Sequence, residues 1–378
     1  ARVSPMYLTP TADVYAPEHL GKQDILICND KIAAVAPSLE PNLPGVEVID
    51  AHGKTAVPGF IDQHVHLIGG GGEGGLHTRT PEFPFSTAVK AGVTTLVGVL
   101  GTDSFTRSVE NLVAKTKALK NEGLTAYCLT GAYQYPSITL TGSVAKDIVF
   151  IEEVIGCKLA MSDHRCSHPT EEEVLRLVSD IRMASLVAGK PGELHIHIGG
   201  TGNCIQMLFD LVEHTDVPIW HLRPTHMGRH PEDAIRFTQL GGYADITAKV
   251  DSHIQLKDLI KEAAPGMLTL SSDSNGSLPV WNEKHENIGV KVASIQTLYD
   301  TIRNMVVLEN VPLEEALPLV TTNVAKALRL YPVKGTITPG CDGDLLLLDQ
   351  DLKVDTVFAR GKMMMESSQL LVKGMFEA

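Results

Sequence analysis

The chain has few cysteines, and they form no pattern. Six cysteines are scattered at positions 28, 128, 157, 166, 204 and 341, and no Cys-x-x-Cys pair occurs. Dispersed cysteines in a chain of 378 residues exclude a small disulfide framework, because a chain of this length can build its own hydrophobic core. We therefore expect reduced cysteines, most of them buried.

The chain is also short of positive charge and of long apolar runs. Its 32 Lys and Arg face 45 Asp and Glu, for a net charge of −13. This balance argues against nucleic acid or an anionic membrane as the main partner. No apolar run approaches a membrane-spanning length, and residues 1–6 lack the apolar core of a signal peptide. The sequence predicts a soluble, cytoplasmic protein with neither nucleic-acid nor membrane partners.

The most informative stretch of the chain ends in a His-x-His pair after an apolar run that begins at Pro58. Side chains alternate along a strand, so His64 and His66 project together while Val65 turns away. Two imidazoles at this spacing can hold one metal ion. The glycine-rich segment 69–75 that follows contains Glu73, and such a loop lets backbone and carboxylate approach a ligand closely.

Other polar residues lie in or just after further strand-like runs. Lys158 lies in run 154–161 and His197 in run 194–199, while His226 follows run 219–225 and Asp273 follows run 267–272. His195 shares a face with His197 but lies one layer deeper, and we interpret it as a packing residue. A His-x-His pair alone is a weak signal, because short strands often carry paired histidines on a solvent face. Its agreement with several other strand ends is what indicates a chemical site.

The middle of the chain alternates strand and helix patterns. The clearest helix begins after Thr170, where Glu173 completes a capping box, and it continues with apolar residues at roughly helical spacing: Val174, Leu177, Val178, Ile181 and Leu186. Repeated βα units predict an α/β fold, a (β/α)₈ TIM-type barrel over residues 58–332, whose active site lies where strands end. Residues 1–57 and 333–378 read as short strands and predict one small β-sandwich domain formed from both termini.

The donor set suggests metal chemistry. Imidazole and carboxylate groups suit Zn²⁺, and this set is larger than one tetrahedral zinc needs. Two metal ions sharing a bridging hydroxide would explain the surplus. Lys158 does not fit as an ammonium, which repels cations. It is either a salt-bridge residue at the barrel rim or, once carbamylated by CO₂, an anionic bridge between two metals.

These motifs resemble the amidohydrolase superfamily. The resemblance rests on the segment 58–66, on the strand-end Lys, His, His and Asp in that order, and on the C-terminal segments 322–328 and 334–345. Within that superfamily the chain resembles the isoaspartyl dipeptidase family, and the shorter motifs that carry this resemblance lie at 69–75, 100–104, 130–133, 162–165, 224–226 and 271–277.

The resemblance implies a metallopeptidase that hydrolyses small β-aspartyl (isoaspartyl) dipeptides with two Zn²⁺ ions and a CO₂-derived carbamate on Lys158. In the family pattern His64, His66 and Asp273 hold one zinc, His197 and His226 hold the other, and Lys158 bridges them. A metal-bridging hydroxide attacks the β-carbonyl, Asp273 moves the proton, and Tyr133 hydrogen-bonds the oxyanion.

The same resemblance implies the substrate contacts. Glu73 would pair with the α-ammonium group and Arg165 with the carboxylate at the far end of the dipeptide. The α-carboxylate of the isoaspartyl unit would be held by Arg229, Thr102 and Ser277, with Gly71 also at the substrate. The resemblance further implies a homo-oligomer, for which an octamer is one candidate.

Alternatives remain open at this stage. One is another amidohydrolase, either a dihydroorotase- or hydantoinase-like cyclic amidase or an N-acyl amino acid deacetylase. Glu73 discriminates here, because a ring without an ammonium group has no use for it. A non-catalytic scaffold is the other alternative, although no expected ligand has been lost. One departure from the family pattern is Gly200, which stands where an acidic residue is expected after His197.

Overall fold

The structure is a computed structural model that describes residues 6–40, 42–203, 205–284 and 287–378, without the side chains of residues 281 and 287. Cys204, one of the cysteines expected to be reduced, lies outside the described residues. The other five are free, and all of these except Cys28 are buried. Among the described residues, no helix is long and apolar enough to cross a membrane.

The N-terminal segment and the barrel supply the first strands in the chain. The N-terminal strands are β1 (Met6–Tyr15), β2 (His19–Cys28), β3 (Lys31–Ala36), β4 (Val46–Val48) and β5 (Thr55–Pro58). The barrel strands are β6 (Phe60–Val65), β7 (Val93–Gly98), β8 (Thr125–Gly131), β9 (Val154–Met161), β10 (Glu193–Ile198), β11 (Leu222–Thr225), β12 (Ala244–Thr247) and β13 (Leu268–Ser271).

The remaining strands form a hairpin and a C-terminal group. The hairpin is β14 (Ser277–Trp281) and β15 (Asn287–Val292), and the C-terminal strands are β16 (Leu345–Leu348), β17 (Val354–Ala359), β18 (Lys362–Glu366) and β19 (Gln369–Leu370). The helices are α1 (Phe85–Lys90), α2 (Val109–Glu122), α3 (Val144–Phe150), α4 (Glu171–Ala188), α5 (Gln206–His214), α6 (Pro231–Gln239), α7 (Ser252–Glu262), α8 (Gln296–Val307), α9 (Leu313–Ala316) and α10 (Thr322–Ala327).

The barrel is parallel and closes on itself, which confirms the predicted (β/α)₈ fold. Strands β6 to β11 are hydrogen-bonded in sequence order, and β12 pairs with β13. β12 also lies beside β11 and β13 beside β6. The barrel closes between β13 and β6. Just beyond the ends of these strands, the backbone N–H of His66 donates to the carbonyl of Ser274 at 2.8 Å. The carboxyl ends of these strands therefore meet around one rim.

The terminal strands form one sheet, in the order β19-β18-β17-β16-β5-β1-β2-β3, with β4 also paired to β1. Strand β17 is three strands away from β1, about 14 Å in a flat sheet. The rings of Tyr7 in β1 and Phe358 in β17 nevertheless lie 5.1 Å apart. The sheet therefore folds over its own core, which contains Ile25, Ile27 and Leu347 among other residues.

Helix α4 begins where the sequence predicts, and most of its apolar pattern is buried. Thr170 accepts from the backbone N–H of Glu173, and the Glu173 side chain accepts from the N-cap backbone, so the capping box is present. The apolar face is buried as far as Ile181, but Leu186 is 68% exposed. At about 100° per residue, five positions turn Leu186 well away from the Ile181 face. Leu186 therefore does not share the buried face with the other four apolar residues of this pattern.

One strand-like run begins differently from expectation. The run 219–225 predicted a strand, whereas Ile219–His221 is a 3₁₀ turn and the strand itself covers only Leu222–Thr225. The strand is shorter, yet its end keeps His226 at the barrel rim. The run 154–161, by contrast, is a strand over its whole length.

Candidate metal and active site

The predicted site residues converge on one cavity at the carboxyl ends of the barrel strands. The cavity has a volume of about 390 Å³, and eleven of the predicted residues line it: His66, Gly71, Glu73, Thr102, Tyr133, Arg165, His197, His226, Arg229, Asp273 and Ser277. His64 and Lys158 lie at its floor, 1% and 0% exposed. No predicted site residue falls elsewhere in the molecule.

Strand β6 aims its side chains into the barrel through a bulge. Its pairing with β7 shifts between Asp62 and Val65, where one extra residue stands on β6. Gln63 and His64 consequently both make contacts to interior side chains, although neighbours on a regular strand point to opposite faces. The alternation inferred from the sequence placed His64 and His66 together but gave no indication of Gln63.

Two other ligand candidates stand at left-handed backbone positions. His226 has φ 63° directly after β11, and Asp273 has φ 56° just after β13. This region is sparsely populated by residues other than glycine, so the surrounding structure must hold both residues there. Each strand end thus turns sharply and directs its side chain into the cavity.

Three histidines are held by one ring nitrogen, which leaves the other facing the cavity. His64 Nδ1 lies 3.0 Å from His195 Nε2. His197 Nε2 lies 2.7 Å from Asp163 Oδ2, and His226 Nδ1 lies 2.6 Å from Thr247 Oγ1. Metal-binding histidines are commonly oriented in this way by a partner on the far nitrogen.

The inner atoms of this set face one another as if around a cation. His64 Nε2 and His66 Nε2 lie 3.2 and 3.0 Å from Asp273 Oδ1. Donor atoms of His64, His226 and Asp273 all lie within 4.8 Å of one another. When His64 donates its Nδ1 proton to His195, its Nε2 lone pair meets a carboxylate oxygen, and two acceptors at this distance repel. The donor set therefore fits a divalent metal ion.

Burial and close contacts set the protonation states of the side chains at the cavity floor. Burial lowers the pKa of His64 and His226 well below the ordinary value, with nearby Lys158 and His197, respectively, adding to the effect. Burial also lowers the pKa of His197 to about 4. Burial raises the pKa of Asp273, but the contacts with His64 and His66 outweigh it and leave the group ionised. Neutral imidazoles and an ionised carboxylate are the forms that bind metals.

Lys158 is fully buried at the centre of this floor. Its Nζ lies 3.2 Å from His64 Nε2, and burial lowers the pKa of the amine to about 7. A substantial fraction of the amine is therefore neutral near neutral pH. A neutral amine has a lone pair that can react with CO₂, whereas an ammonium group does not.

Tyr133 contacts the cavity-facing nitrogen of His197. Its hydroxyl lies 2.7 Å from His197 Nδ1. Since Nε2 donates to the carboxylate of Asp163, Nδ1 carries the lone pair and the tyrosine donates. Burial raises the pKa of Tyr133, so the phenol keeps its proton. A metal ion on His197 would take this nitrogen and free the hydroxyl to donate elsewhere.

Opposite charges meet at the rim of the cavity. Arg165 contacts Asp163 through Nε and Nη2, both at 2.9 Å, and its Nη1 lies 3.3 Å from Glu73 Oε1. Burial raises the pKa of Asp163, but the hydrogen bonds from Arg165 and His197 hold it well below the ordinary value. The two residues expected to bind opposite ends of a dipeptide thus contact each other.

The hydroxyls assigned to the α-carboxylate also contact Glu73. Ser277 Oγ donates to Glu73 Oε1 at 2.6 Å, and Thr102 Oγ1 lies 3.5 Å from Glu73 Oε2. Arg229 is exposed at the rim and makes no ion pair with any described residue. Gly71 has φ +70°, and a Cβ there would lie 2.6 Å from the carbonyl oxygen of Thr78, so the loop requires glycine.

Several residues of the site were not identified from the sequence. His195 was interpreted as packing, yet it hydrogen-bonds His64; its alternation with His197 was the available signal. Asp163 and Thr247 orient His197 and His226, and nothing in their local pattern indicates it. The hairpin β14–β15 forms an apolar wall through Leu278, Pro279 and Val290.

The glycine at position 200 leaves open space. A Cβ built on Gly200 would meet nothing within 4 Å, so a side chain would fit there. The carboxylate that contacts His197 comes instead from Asp163, on the loop after the neighbouring strand. The departure from the family pattern therefore does not leave His197 without an acidic partner.

The chain is similar to several known proteins. The amidohydrolase family model matches residues 55–364. The β-aspartyl dipeptidase of the thermophilic, keratin-degrading Fervidobacterium islandicum AW-1, solved with β-Asp-Leu dipeptide, has a TM-score of 0.92 and 39% identity over 100% of both chains. A second structure of that organism's enzyme has a TM-score of 0.89 and 38% identity, covering 98% of this chain and 100% of the other.

A further likeness covers less of the chain. The dihydroorotase of Staphylococcus aureus strain Mu50 is 34% identical over 144 residues, 38% of this chain. The match spans 32% of the dihydroorotase, about a third of its length. The likeness to the dipeptidases extends over the whole chain, whereas the likeness to dihydroorotases is confined to one part of it.

Proposed function

The chain belongs to the amidohydrolase family, and from that premise we propose that it hydrolyses β-aspartyl dipeptides in a reaction that depends on two zinc ions. The observation that carries the proposal is one cavity that joins a buried set of metal donors to a charged rim of Glu73, Arg165 and Arg229. The similar Fervidobacterium enzyme, solved with β-Asp-Leu, supports the same substrate class.

The donor set divides between two metal positions in our proposal. His64, His66 and Asp273 would hold one zinc ion, and His197 and His226 would hold the other. Lys158, carbamylated by CO₂, would bridge them, because its buried amine is neutral above about pH 7. Bound zinc would lower the pKa of a water molecule and polarise the scissile carbonyl.

The rim carries charges that complement an isoaspartyl dipeptide. Such a substrate keeps a free α-ammonium and α-carboxylate on the isoaspartyl residue, and a second carboxylate at its far end. Glu73 would take the ammonium, while Arg229 and Arg165 would take the two carboxylates. Because Glu73 contacts Arg165 and Ser277, a bound substrate would compete with those contacts. Guanidinium–carboxylate pairs add orientation as well as attraction.

The proton movements follow from the states of two side chains. Asp273 is ionised and lies at the floor, so it can accept a proton from the attacking water and pass it to the leaving amine. Tyr133 keeps its proton and lies at the same face, so it can donate a hydrogen bond to the oxygen on which negative charge develops.

Hydrolysis of a cyclic amide is a second candidate, favoured by the partial likeness to dihydroorotase. A dihydroorotate ring carries a carboxylate for Arg229 or Arg165 but no ammonium for Glu73. It would leave Glu73 paired only within the protein. Removal of an N-acyl group from an amino acid meets the same difficulty. A non-catalytic scaffold is the weakest alternative, because every predicted donor lies at the cavity.

A hydrolysis panel with metal analysis on the same sample tests the proposal. The substrates are isoAsp-Leu, Asp-Leu, dihydroorotate, hydantoin and an N-acetyl amino acid. We expect hydrolysis of isoAsp-Leu by far the fastest, with zinc bound in more than one equivalent per chain. Faster turnover of a ring or an N-acyl substrate would move the assignment to that class, and a metal-free, inactive protein would favour the scaffold.

Assembly and location remain proposals. We expect a small-molecule substrate as the main partner and a homo-oligomer, with an octamer as one candidate, which sedimentation equilibrium would test. A cytoplasmic location stays a prediction from the sequence.

A further inference from the structure

A chain of hydrogen bonds lies beneath the cavity floor. His64 Nδ1 is 3.0 Å from His195 Nε2, and His195 Nδ1 is 3.2 Å from Glu193 Oε2. Arg223 Nη1 lies 3.3 Å from the same carboxylate oxygen. All four side chains are at most 1% exposed. The substrate contacts proposed above do not involve His195, Glu193 or Arg223.

The direction of these bonds follows from chemistry. The Glu193 carboxylate lies beside a guanidinium group and accepts hydrogen bonds only, so His195 Nδ1 must donate to it. A neutral imidazole that donates from Nδ1 has its lone pair on Nε2, so His195 accepts from His64 Nδ1. His64 then carries its lone pair on Nε2. That atom faces Asp273 and Lys158 at 3.2 Å each.

Arg223 lies at the end of this series of hydrogen bonds, and it is bonded to residues on other sides of the barrel. Arg223 donates to Gln63 Oε1 at 2.8 Å and to the carbonyl of Ala327 at 3.2 Å. Gln63 in turn donates to Asp245 at 2.9 Å and Thr269 at 2.7 Å. The Glu193 carboxylate, which accepts from His195, is therefore held by Arg223, and Arg223 is linked by hydrogen bonds to several other barrel strands. Polar groups this deeply buried are costly unless their bonds are satisfied.

We propose that His195 is a positioning residue for the metal site: held by Glu193, it fixes His64 in the tautomer and ring orientation whose Nε2 faces the metal ions. This inference rests on the metal binding in the proposed function and adds a role for a residue interpreted from the sequence as packing. An apolar packing partner of the same size would fill the space but would leave the His64 tautomer free.

Two amide substitutions separate the two bonds of His195. A glutamine amide reaches about as far as Nε2, so His195→Gln keeps an acceptor for His64. An asparagine amide reaches only as far as Nδ1, so His195→Asn keeps the Glu193 contact and loses the His64 contact. His221 supplies a matched control. It is a buried histidine in the same barrel, and its Nδ1 contacts the carbonyl of Gly192 at 2.6 Å, away from the cavity.

The measurement is zinc affinity of metal-free protein, by competition with a chromophoric chelator, alongside thermal unfolding of the same metal-free samples. We expect His195→Asn to weaken zinc binding by roughly 10- to 100-fold, the range for lost partners of metal-binding histidines. His195→Gln should stay within a few-fold of wild type, and His221→Asn should leave affinity unchanged. The thermal midpoints of the three variants should be similar.

Other outcomes would overturn the inference. Wild-type zinc affinity in His195→Asn would show that His64 needs no such partner. Equal losses in His195→Asn and His195→Gln, or equal losses in His195→Asn and His221→Asn, would assign the effect to packing. The result is separate from the substrate assignment: a protein that binds zinc in the expected order but ignores isoAsp-Leu refutes the proposed substrate and leaves the role of His195 standing.

Discussion

The floor of the cavity and its rim are built in opposite ways. The floor groups lie on barrel strands or just after them. Burial lowers the pKa of His64 and His197 so that their neutral forms dominate, and it lowers the pKa of Lys158 to about 7, so that a substantial fraction of the amine is neutral near neutral pH. The rim groups lie on loops and turns and are partly or fully exposed. The side chains of Arg165 and Glu73 are 25% and 28% exposed and lie 3.3 Å apart.

This difference separates chemistry from recognition. Substitutions in the floor should affect metal content and the turnover of every substrate, because the attacking water and the carbonyl meet there. Substitutions at the rim should discriminate between substrates that differ in charge and leave metal content unchanged.

The largest effect is expected at Lys158. Lys158→Ala should lose most bound zinc and nearly all activity on any substrate, because the proposed bridge between the metals is gone. Bicarbonate with a short carboxylic acid should partly restore both by filling the bridging position. Lys190→Ala is the control, since Lys190 Nζ donates to the backbone carbonyls of Ile148, Ile151 and Val154. It should cost stability without changing zinc content, and full zinc occupancy in Lys158→Ala would refute the bridge.

The pH dependence of metal reloading follows from the same residue. Burial lowers the pKa of Lys158 to about 7, so its amine is protonated below this pH and neutral above it. Carbamate formation joins the neutral amine to CO₂ and releases a proton. Zinc uptake by metal-free protein in bicarbonate should therefore increase as the pH rises through about 7. An uptake independent of bicarbonate at every pH would contradict the carbamate.

Asp273 should give the next largest effect. Asp273→Asn should keep the fold, while turnover falls by roughly 10²-fold or more, the scale of lost general acid–base catalysis. The wild-type carboxylate is held ionised by His64 and His66, so its protonation should set the acidic limb of the rate profile. That limb should vanish or move in the variant. An unchanged profile would assign the proton transfer to another group.

A substitution at Glu73 tests whether the rim recognises the charge of the substrate. Glu73→Gln should lower kcat/KM for isoAsp-Leu by roughly 30- to 1000-fold, because losing a charge-assisted bond costs about 2–4 kcal/mol. Zinc content should not change. N-acetylating the dipeptide removes the same charge pair, so the variant should lose little further on the acetylated substrate. Losses that multiply would show that Glu73 does not bind the ammonium group.

Ser277 should give the smallest effect. Its hydroxyl donates to Glu73 at 2.6 Å, so Ser277→Ala removes one hydrogen bond that orients the carboxylate. We expect kcat/KM for isoAsp-Leu to fall roughly 2- to 10-fold, the equivalent of about 0.5–1.5 kcal/mol. The loss should shrink in a Glu73→Gln background. A loss on the scale of Asp273→Asn would place Ser277 in the chemistry and break the division between floor and rim.

Residues that are close together in the sequence determined several local features of this protein, namely the extent of a strand, the start of a helix and the pairing of two histidines. The alternation of a strand is enough to bring His64 and His66 to one side, and run 154–161 is a strand over its whole length. The capping box at Thr170 marked the start of α4 correctly. These features depend on residues within a few positions of each other, so spacing along the chain suffices to predict them. In α4 the apolar pattern failed to predict burial at Leu186, which follows Ile181 by five positions rather than three or four, and this side chain is exposed.

Tertiary structure alone decided how the site residues are held. The bond between His195 and His64 joins residues 131 positions apart, and the one between Ser277 and Glu73 joins residues 204 apart. Such contacts exist only because the barrel closes and brings separate strands to one rim. The types of the donors can be inferred from the sequence. Their tautomers, the lowered pKa of Lys158 and the pairing of Glu73 with Arg165 depend on burial and on distances that only the folded chain sets.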